Sequence, residues 1–346
     1  MQRTREGMVQ TVTGLIPPED VGVALLHEHL HILGGNLLKV HGYGTHDAST
    51  AFDHVTAAEC RWNPGASEVN YQFDDRDAIL SDLVDAASVG VRTIVDVTPI
   101  ELGRNPESLQ RYAQDSGLNV VMGTGHYLEA THRLVLSPGR EENQTFERIL
   151  GEAADGIRGV FPGIIGEIGT SDPPTASELA VLRGATRAAT HTGMSLSIHL
   201  HPWGFNGDLV SNVVQDAGLP PERLILGHMN TAASAPSHLV DLLRRQVVLG
   251  FDLFGFDHSL LGVGRYPPSD DLVAGVVADL VERGFVDQIV LSQDVGVRTR
   301  LRRYGGWGYA HLVRHVVPLL REKGVKQADI ETMLVTNTKR LLTIGV

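Results

Sequence analysis

The chain has one cysteine, Cys60, and few lysines, and both shortages limit its chemistry. A lone thiol cannot form a disulfide within the chain, and it cannot build a metal site from several thiolates. Only four lysines occur among 346 residues: Lys39, Lys323, Lys326 and Lys339. Residues 40–322 contain no lysine. The chain therefore has no lysine in this range that could hold a substrate as a Schiff base, which argues against a Schiff-base lyase.

Long apolar runs and excess positive charge are also missing. No stretch approaches the roughly 20 residues that cross a bilayer, and residues 1–10 lack the apolar segment of a signal peptide. The 29 Lys+Arg against 41 Asp+Glu give a net charge of −12, whereas nucleic-acid binding needs clustered positive charge. We therefore expect a cytoplasmic protein with no nucleic-acid or membrane partner, folded as a single domain over residues 1–346.

Eight short runs rich in Val, Ile and Leu alternate with amphipathic segments. The runs cover residues 23–30, 93–98, 119–124, 163–169, 195–201, 224–228, 247–253 and 288–294. Near-continuous apolar runs of this length are typical of parallel strands that are buried on both faces. The intervening segments carry helix signals, such as Thr175 with Glu178 as a capping box and Gly284 and Gly324 as terminating residues.

This alternation is compatible with a closed barrel or with a large doubly wound sheet. A doubly wound dinucleotide-binding fold would carry a G-x-G-x-x-G motif after an early strand, but the first run ends in His27, Glu28 and His29. We therefore expect an α/β fold of the (β/α)₈ TIM-barrel type. Residues 33–74 are predicted to be a long irregular loop inserted after the first strand.

Metal-ligating side chains stand at the C-terminal ends of five predicted strands. They are His27, His29, Glu167, His199, His228 and Asp294. Residues i and i+2 of a strand face the same side, and the C-terminal ends of barrel strands meet at one rim, where active sites of this fold lie. Two carboxylates and four imidazoles are costly to bury together without cations. Each residue alone has an ordinary structural explanation, but their shared position predicts a site for two divalent cations.

Further motifs extend over nearly the whole chain. They are TGLIPPE at 13–19, LHEHL at 26–30, DVT at 96–98 with GR at 103–104, GTGHY at 123–127, GEIGTS at 166–171, IH at 198–199, LGH at 226–228, LSQD at 291–294, YGGWGY at 304–309 and NT at 337–338. Together these motifs resemble the phosphotriesterase-like branch of the amidohydrolase superfamily. The resemblance implies a (β/α)₈ barrel with a binuclear metal centre, and a homodimer is the expected assembly.

The same resemblance assigns the ligands to two ions. The more buried ion would be held by His27, His29 and Asp294, and the more exposed ion by His199 and His228. Many members of the family bridge the two ions with a carboxylated lysine. Here Glu167 occupies that position and no lysine is near it, so Glu167 is expected to bridge the ions directly, as in a subset of the family. Zinc is the first choice of metal, with manganese, cobalt and iron as alternatives.

The resemblance also suggests a mechanism, in which a hydroxide between the ions attacks a small-molecule substrate and Asp294 is the general base and proton shuttle. Ester or lactone hydrolysis ranks first, N-acyl amide hydrolysis second and promiscuous phosphotriester hydrolysis third. Candidate substrate contacts are Tyr127, His201, Leu253 and Arg298. Leu253 departs from the Arg or His that lactone- and phosphotriester-hydrolysing relatives often carry there, which weakens the case for their specificity. A barrel that binds a small molecule without turnover is the non-enzymatic alternative.

Overall fold

The computed structural model describes residues 5–37, 52–260 and 264–345. The strands in these ranges, β1 to β10, are Val9–Thr11, Gly14–Ile16, Val23–Glu28, Val91–Asp96, Asn119–Thr124, Ile164–Thr170, Leu196–Leu200, Leu224–Leu226, Val248–Phe251 and Ile289–Leu291. β1 and β2 form an antiparallel hairpin, whereas β3 to β10 form a parallel sheet in which each strand pairs with the next in chain order. All eight predicted strands are therefore present.

Hydrogen bonds between the ends of β3 and β10 bring the sheet back on itself. The backbone N–H of Asp294 donates to the carbonyl of His27 over 3.0 Å, and that of His29 donates to the carbonyl of Val295 over 3.3 Å. The Ser292 hydroxyl also accepts a hydrogen bond from the backbone N–H of His27 at 3.0 Å. These contacts and the strand order confirm the (β/α)₈ barrel expected from the sequence.

Helices flank the barrel strands. The α-helices of the described ranges, α1 to α13, are His54–Trp62, Glu68–Tyr71, Arg76–Ser88, Pro106–Ser116, Glu129–His132, Glu141–Asp155, Ala176–Thr192, Gly207–Asp216, Pro236–Leu243, Asp270–Glu282, Val317–Glu322, Gln327–Glu331 and Asn337–Leu342. Short 3₁₀ turns are found at Pro18–Asp20, Pro64–Ala66, Ile100–Leu102, Pro221–Arg223, Met229–Ser234, Val286–Gln288, Arg298–Arg300 and Arg302–Tyr304. In the described part of the chain, no helix combines the length and apolar character that crossing a membrane requires.

Local sequence signals explain where several helices begin and end. The capping box at the start of α7 is present, because the Thr175 side chain accepts from the Glu178 N–H at 3.1 Å and the Glu178 carboxylate accepts from the Thr175 N–H at 3.0 Å. The helix that ends just before Gly324 is different. It begins with a π-helical turn, Leu312–Val316, and Pro318, which has no N–H to donate, lies in the first turn of the following α11.

The insertion after β3 corrects the prediction of an irregular loop over residues 33–74. Its described part contains α1, the 3₁₀ turn Pro64–Ala66 and α2, while residues 38–51 lie outside the described residues. Asp53, Asn63 and Ser67 each precede one of these short elements and accept hydrogen bonds from its first N–H groups. These polar residues are typical of loops, but they are equally typical of helix caps, and here they are caps.

An irregularity in strand pairing decides which side chains of β3 face the barrel interior. Ala24 and Leu26 belong to the apolar cluster inside the barrel. Strict alternation would then turn the histidines of LHEHL outward. Leu25 pairs with Ile94, and Glu28 pairs with Asp96. Between these two pairs β3 advances by three residues and β4 by only two, which defines a β-bulge. The bulge turns both histidines inward, toward the C-terminal rim.

Candidate metal centre

Four imidazoles and two carboxylates meet at the C-terminal rim of the barrel. His29 Nε2 lies 3.2 Å from Asp294 Oδ1 and 3.7 Å from Glu167 Oε1. His27 Nε2 lies 3.6 Å from Glu167 Oε2 and 3.9 Å from Asp294 Oδ1. These side chains come from β3 and the residue just after it, from β6 and from the segment after β10, so residues far apart in the sequence form one half of the cluster.

The other half is formed by His199 on β7 and His228 after β8. His228 Nε2 lies 2.7 Å from His199 Nδ1, and the same His199 atom lies 3.1 Å from Glu167 Oε2. The Glu167 carboxylate is therefore between the two halves, with one oxygen toward His29 and the other toward His27 and His199. A second bulge, in the pairing of β6 with β7, accompanies this inward placement of Glu167.

The donor atoms of this cluster fit divalent cations. Two groups have ligand atoms within 4.8 Å of one another: His27, His29 and Asp294, and His27, Glu167 and His228. His27 Nε2, which faces the cluster, is buried and has no hydrogen-bond partner in the described residues. Imidazole nitrogens and carboxylate oxygens are typical ligands of zinc and similar ions. The chemistry and geometry of these residues thus suit a binuclear site, while the six individual ligand assignments stay predictions.

Asp252 is a buried carboxylate beside the cluster that sequence reasoning did not assign. Its Oδ1 accepts from His228 Nδ1 at 2.9 Å, and its Oδ2 lies 3.3 Å from His27 Nδ1. Although burial opposes the shift, the attraction of His228 and His27 lowers the pKa of Asp252. An ionised carboxylate beside both Nδ1 atoms favours the tautomers with the proton on Nδ1, so that the Nε2 atoms, which face the cluster, can coordinate a cation.

The carboxylates of the cluster stay ionised. Burial opposes ionisation of Asp294, but the hydrogen bond from His29 and the charges of His27 and His29 lower the pKa of Asp294 to about 2. The neighbouring histidines likewise lower the pKa of Glu167 against the effect of burial. Asp294 is the more exposed of the two, with 18% of its side chain accessible against 2% for Glu167. It therefore presents its charge to the cavity.

Two residues of the cluster have unusual backbone geometry. His228 has a φ of 62° and Asp294 a φ of 53°, in the left-handed region that residues other than glycine rarely adopt. Such conformations cluster at functional sites, where the surrounding structure over-determines them. At Asp294 the constraint comes from Glu28, whose carboxylate accepts hydrogen bonds from the neighbouring N–H groups of Gln293 and Val295, both at 2.9 Å.

A cavity of about 90 Å³ opens onto this cluster. Its described walls are mostly apolar and contain no arginine or lysine. They are formed by His29, Ile32, Leu37, Pro64, Tyr71, Leu102, Tyr127, Glu167, His199, Pro202, His228, Leu253, Phe256, His258, Ser259, Leu260, Asp294, Gly296 and Val297. One water needs roughly 10–15 Å³ of such space, so the cavity holds a group of fewer than about ten heavy atoms.

Two of the four predicted substrate contacts lie in the cavity wall. Leu253 lines it, and the Tyr127 ring packs edge-on against His199 with centroids 4.9 Å apart. Burial, followed by the charges of Glu167 and Asp294, raises the pKa of Tyr127 well above its usual value, so its phenol stays protonated.

The other two predicted contacts have partners elsewhere. His201 Nδ1 lies 3.3 Å from the backbone N–H of Trp203 and outside the cavity wall. Arg298 donates to the Gln72 carbonyl at 2.7 Å and to Asp74 at 2.9 Å, which turns it toward the insertion. Contact of either side chain with substrate stays a prediction that these bonds do not support.

The residues that sequence reasoning missed act on the predicted ligands rather than on substrate. Asp252 follows β9 directly, so the rule that found the other strand-end residues would also have found it. Thr98, whose hydroxyl lies 2.8 Å from His29 Nδ1, carries no such signal because threonine is common in strands.

Comparison with known proteins identifies the family of the chain. The model described as "Phosphotriesterase family" matches residues 7–342. Proteins named N-acetyltaurine hydrolase are 28% identical in Dictyostelium discoideum, covering 98% of this chain and 99% of the relative, and 30% identical in Salmo salar, covering 97% and 98%.

Solved structures give the same result. A resiniferatoxin-binding protein from Rhodobacter sphaeroides superposes with a TM-score of 0.87 and 34% identity, covering 97% of this chain and 95% of that one. A phosphotriesterase homology protein from Escherichia coli, solved with phosphate in its active site, has a TM-score of 0.75 and 26% identity, covering 93% and 99%. The chain therefore belongs to the phosphotriesterase family, and it is a metal-dependent hydrolase.

Proposed function

We propose that this protein hydrolyses the amide bond of small N-acyl compounds at a binuclear metal centre. The observation that carries the proposal is the small apolar cavity that ends at the histidine–carboxylate cluster. A cavity of about 90 Å³ accepts a short acyl group and is far below the roughly 300–1,000 Å³ of a site for a large ligand. The relatives named N-acetyltaurine hydrolase support an amide as the bond that is cleaved.

Two divalent cations held by His27, His29, Asp294, His199 and His228, with Glu167 between them, would supply an activated water and polarise the substrate carbonyl. Zinc is the proposed metal, since it accepts this ligand set readily. The Asp294 carboxylate faces the cavity, where it would accept the proton of the attacking water and return it to the departing nitrogen. The protonated phenol of Tyr127 donates a hydrogen bond that orients the acyl group in the cavity.

Ester or lactone hydrolysis is the second candidate. A solved structure that represents the engineering of organophosphate hydrolysis from a weak promiscuous lactonase template superposes with a TM-score of 0.77 and 25% identity, covering 97% of this chain and 99% of that one. Esters and lactones would place the same kind of carbonyl group at the metal centre as an amide does. Amide hydrolysis and ester or lactone hydrolysis therefore differ in the leaving group and not in the metal ligands. A barrel that binds without turnover is the third, since the Rhodobacter protein is named for binding.

A substrate panel on metal-loaded protein tests the proposal. We expect kcat/KM for N-acetylated amines and amino acids to exceed that for γ-lactones and for a dialkyl aryl phosphate by at least roughly tenfold. A reversed order between amides and lactones would replace the amide with a lactone as the substrate. Stoichiometric binding without product after long incubation would instead support the binding barrel.

The role of Asp294 is tested by Asp294→Asn in the same panel. Loss of a positioned general base typically lowers the rate by about 10²–10⁴-fold. The matched control is Asp287→Asn, an exposed position remote from the cluster, which we expect to leave kcat unchanged. Metal content of each variant, measured by plasma mass spectrometry, separates loss of the base from loss of the ions. Full activity of Asp294→Asn would remove Asp294 from the mechanism.

A further inference from the structure

Arg265 is an exposed arginine near the mouth of the cavity. Its guanidinium makes no hydrogen bond and no ion pair with any of the residues the structure describes, and the residue is exposed. The guanidinium stacks over the Trp203 ring, 4.6 Å from its centroid. In a chain of net charge −12, an unpaired arginine is a local point of attraction for anions.

Hydrogen bonds tie Arg265 to the cavity wall. The Arg265 carbonyl accepts from the Leu260 N–H at 2.8 Å, and the Trp203 indole N–H donates to the Leu260 carbonyl at 2.8 Å. Leu260 lines the cavity, and so does Pro202, the neighbour of Trp203. The stacked pair of Arg265 and Trp203 therefore lies at the rim of the same cavity that reaches the metal ligands.

The other arginines near this rim are already engaged. Arg298 is held by Gln72 and Asp74, and Arg61 lies 3.6 Å from Asp257 and donates to the Gly305 carbonyl at 2.7 Å. Arg300 is buried, and it donates to the backbone carbonyls of Gly255, Phe254 and Gln293. Since the described cavity wall has no arginine or lysine, an anionic group of a substrate would find its partner at the mouth and not inside.

We propose that Arg265 binds a carboxylate or sulfonate on the amine portion of an N-acyl amide substrate, an inference that rests on the proposed amide hydrolysis. The short acyl group occupies the apolar cavity, and the anion pairs with the planar guanidinium, which can bind two oxygens at once. Hydrolysis adds one water across the C–N bond and releases the acyl acid from the cavity and the anionic amine at the mouth. Arg265 thus determines specificity without taking part in the proton transfers.

Arg265→Gln, assayed with charged and neutral substrates of equal acyl group, tests the proposal. N-acetyltaurine and N-acetyl-β-alanine supply the sulfonate and the carboxylate, and N-acetylethanolamine is the neutral comparison. We expect the KM of the anionic amides to rise roughly tenfold, the loss typical of one charge-assisted contact, with kcat nearly unchanged. The neutral amide should be unaffected, and Arg265→Lys should restore part of the affinity. The anion that loses more affinity identifies the preferred group.

Several results separate this inference from the proposed function. Arg283→Gln, at an exposed arginine paired with Asp279 at 2.9 Å, is the matched control. It should leave the KM values of the anionic amides and of the neutral amide unchanged. Equal KM values of Arg265→Gln and the wild type for both anions would overturn the role of Arg265, while turnover of the neutral amide would still support amide hydrolysis. If no amide is turned over, calorimetric binding of taurine and β-alanine to the metal-loaded protein decides instead. Binding that is lost in Arg265→Gln supports the anion site, and binding that survives overturns it.

Discussion

At the scale of single residues, the side chains behind the predicted ligands decide what the ligands can do. An imidazole binds a cation only through a nitrogen that carries no proton, so the position of its other proton matters. Asp252 faces the Nδ1 atoms of His27 and His228, and Thr98 faces the Nδ1 atom of His29. All three contacts leave Nε2 directed at the cluster. The carboxylate acts on two rings at once, which makes it the more consequential partner.

Replacement of Asp252 by Asn should therefore weaken metal binding while the fold is kept. An amide offers one acceptor oxygen and one N–H₂ group, so one of the two imidazoles meets a donor and moves its proton to Nε2. We expect the affinity for the ions to fall by about 10–100-fold, the usual effect of losing such a partner. Competition with a chelator measures this change. Asp241→Asn, at an exposed carboxylate paired with Arg244, is the control, and equal affinities in the two variants would contradict the assignment.

At the scale of elements, the segments that follow β4 and β5 are joined by a buried pair next to the cluster. His126 Nδ1 lies 2.5 Å from Glu101 Oε1, and neither side chain is exposed. The remaining atoms of the pair, His126 Nε2 and Glu101 Oε2, are buried without a partner among the described residues. Tyr127, next to His126, packs against His199, so this pair holds one wall of the cavity in place.

Glu101→Ala should consequently destabilise the protein strongly. Removing one partner leaves the other buried and unpaired, which typically costs about 3–5 kcal/mol in the free energy of unfolding. The control is Glu107→Ala, which removes the exposed pair with Arg158, at 3.1 Å, where we expect a change of about 1 kcal/mol or less. Chemical denaturation measures both values. Similar losses in the two variants would mean that the buried pair contributes no more than a surface contact.

At the scale of the whole molecule, the cluster connects elements from both ends of the chain. Its residues come from β3 near the N-terminus and from the segment after β10, which together close the barrel. Ions bound by both would stabilise the closed barrel as well as the chemistry, since a ligand that binds only the folded state adds to its stability. Metal binding and thermal stability should therefore be linked.

Chelation tests this link. After dialysis against a chelator we expect turnover to disappear and the melting temperature to fall by at least about 5 °C, because an ion at a thousandfold excess over its Kd contributes about 4 kcal/mol. Addition of zinc should restore both, as followed by calorimetry and by the substrate panel. An unchanged melting temperature with full turnover in the metal-free protein would contradict the binuclear centre.

The sequence by itself determined the strand–helix alternation, the barrel and the residue types at the rim. These follow from local signals, namely apolar runs of strand length, helix caps and polar residues at strand ends, which do not depend on distant contacts. It also excluded a carboxylated lysine as the bridge, since residues 40–322 contain no lysine.

Only the tertiary structure decided which way the side chains point and which of the arginines near the cavity are held in ion pairs. The bulges in β3 and β6 are defined by pairing with neighbouring strands, and strict alternation would not place both Leu26 and His27 inside the barrel. In the same way, Arg298 follows a strand that ends at the cluster but is paired with Asp74, whereas the guanidinium of Arg265 stacks on Trp203 and has no ion-pair partner among the described residues. A side chain's partners lie far away along the chain, so its availability emerges only when the barrel is assembled.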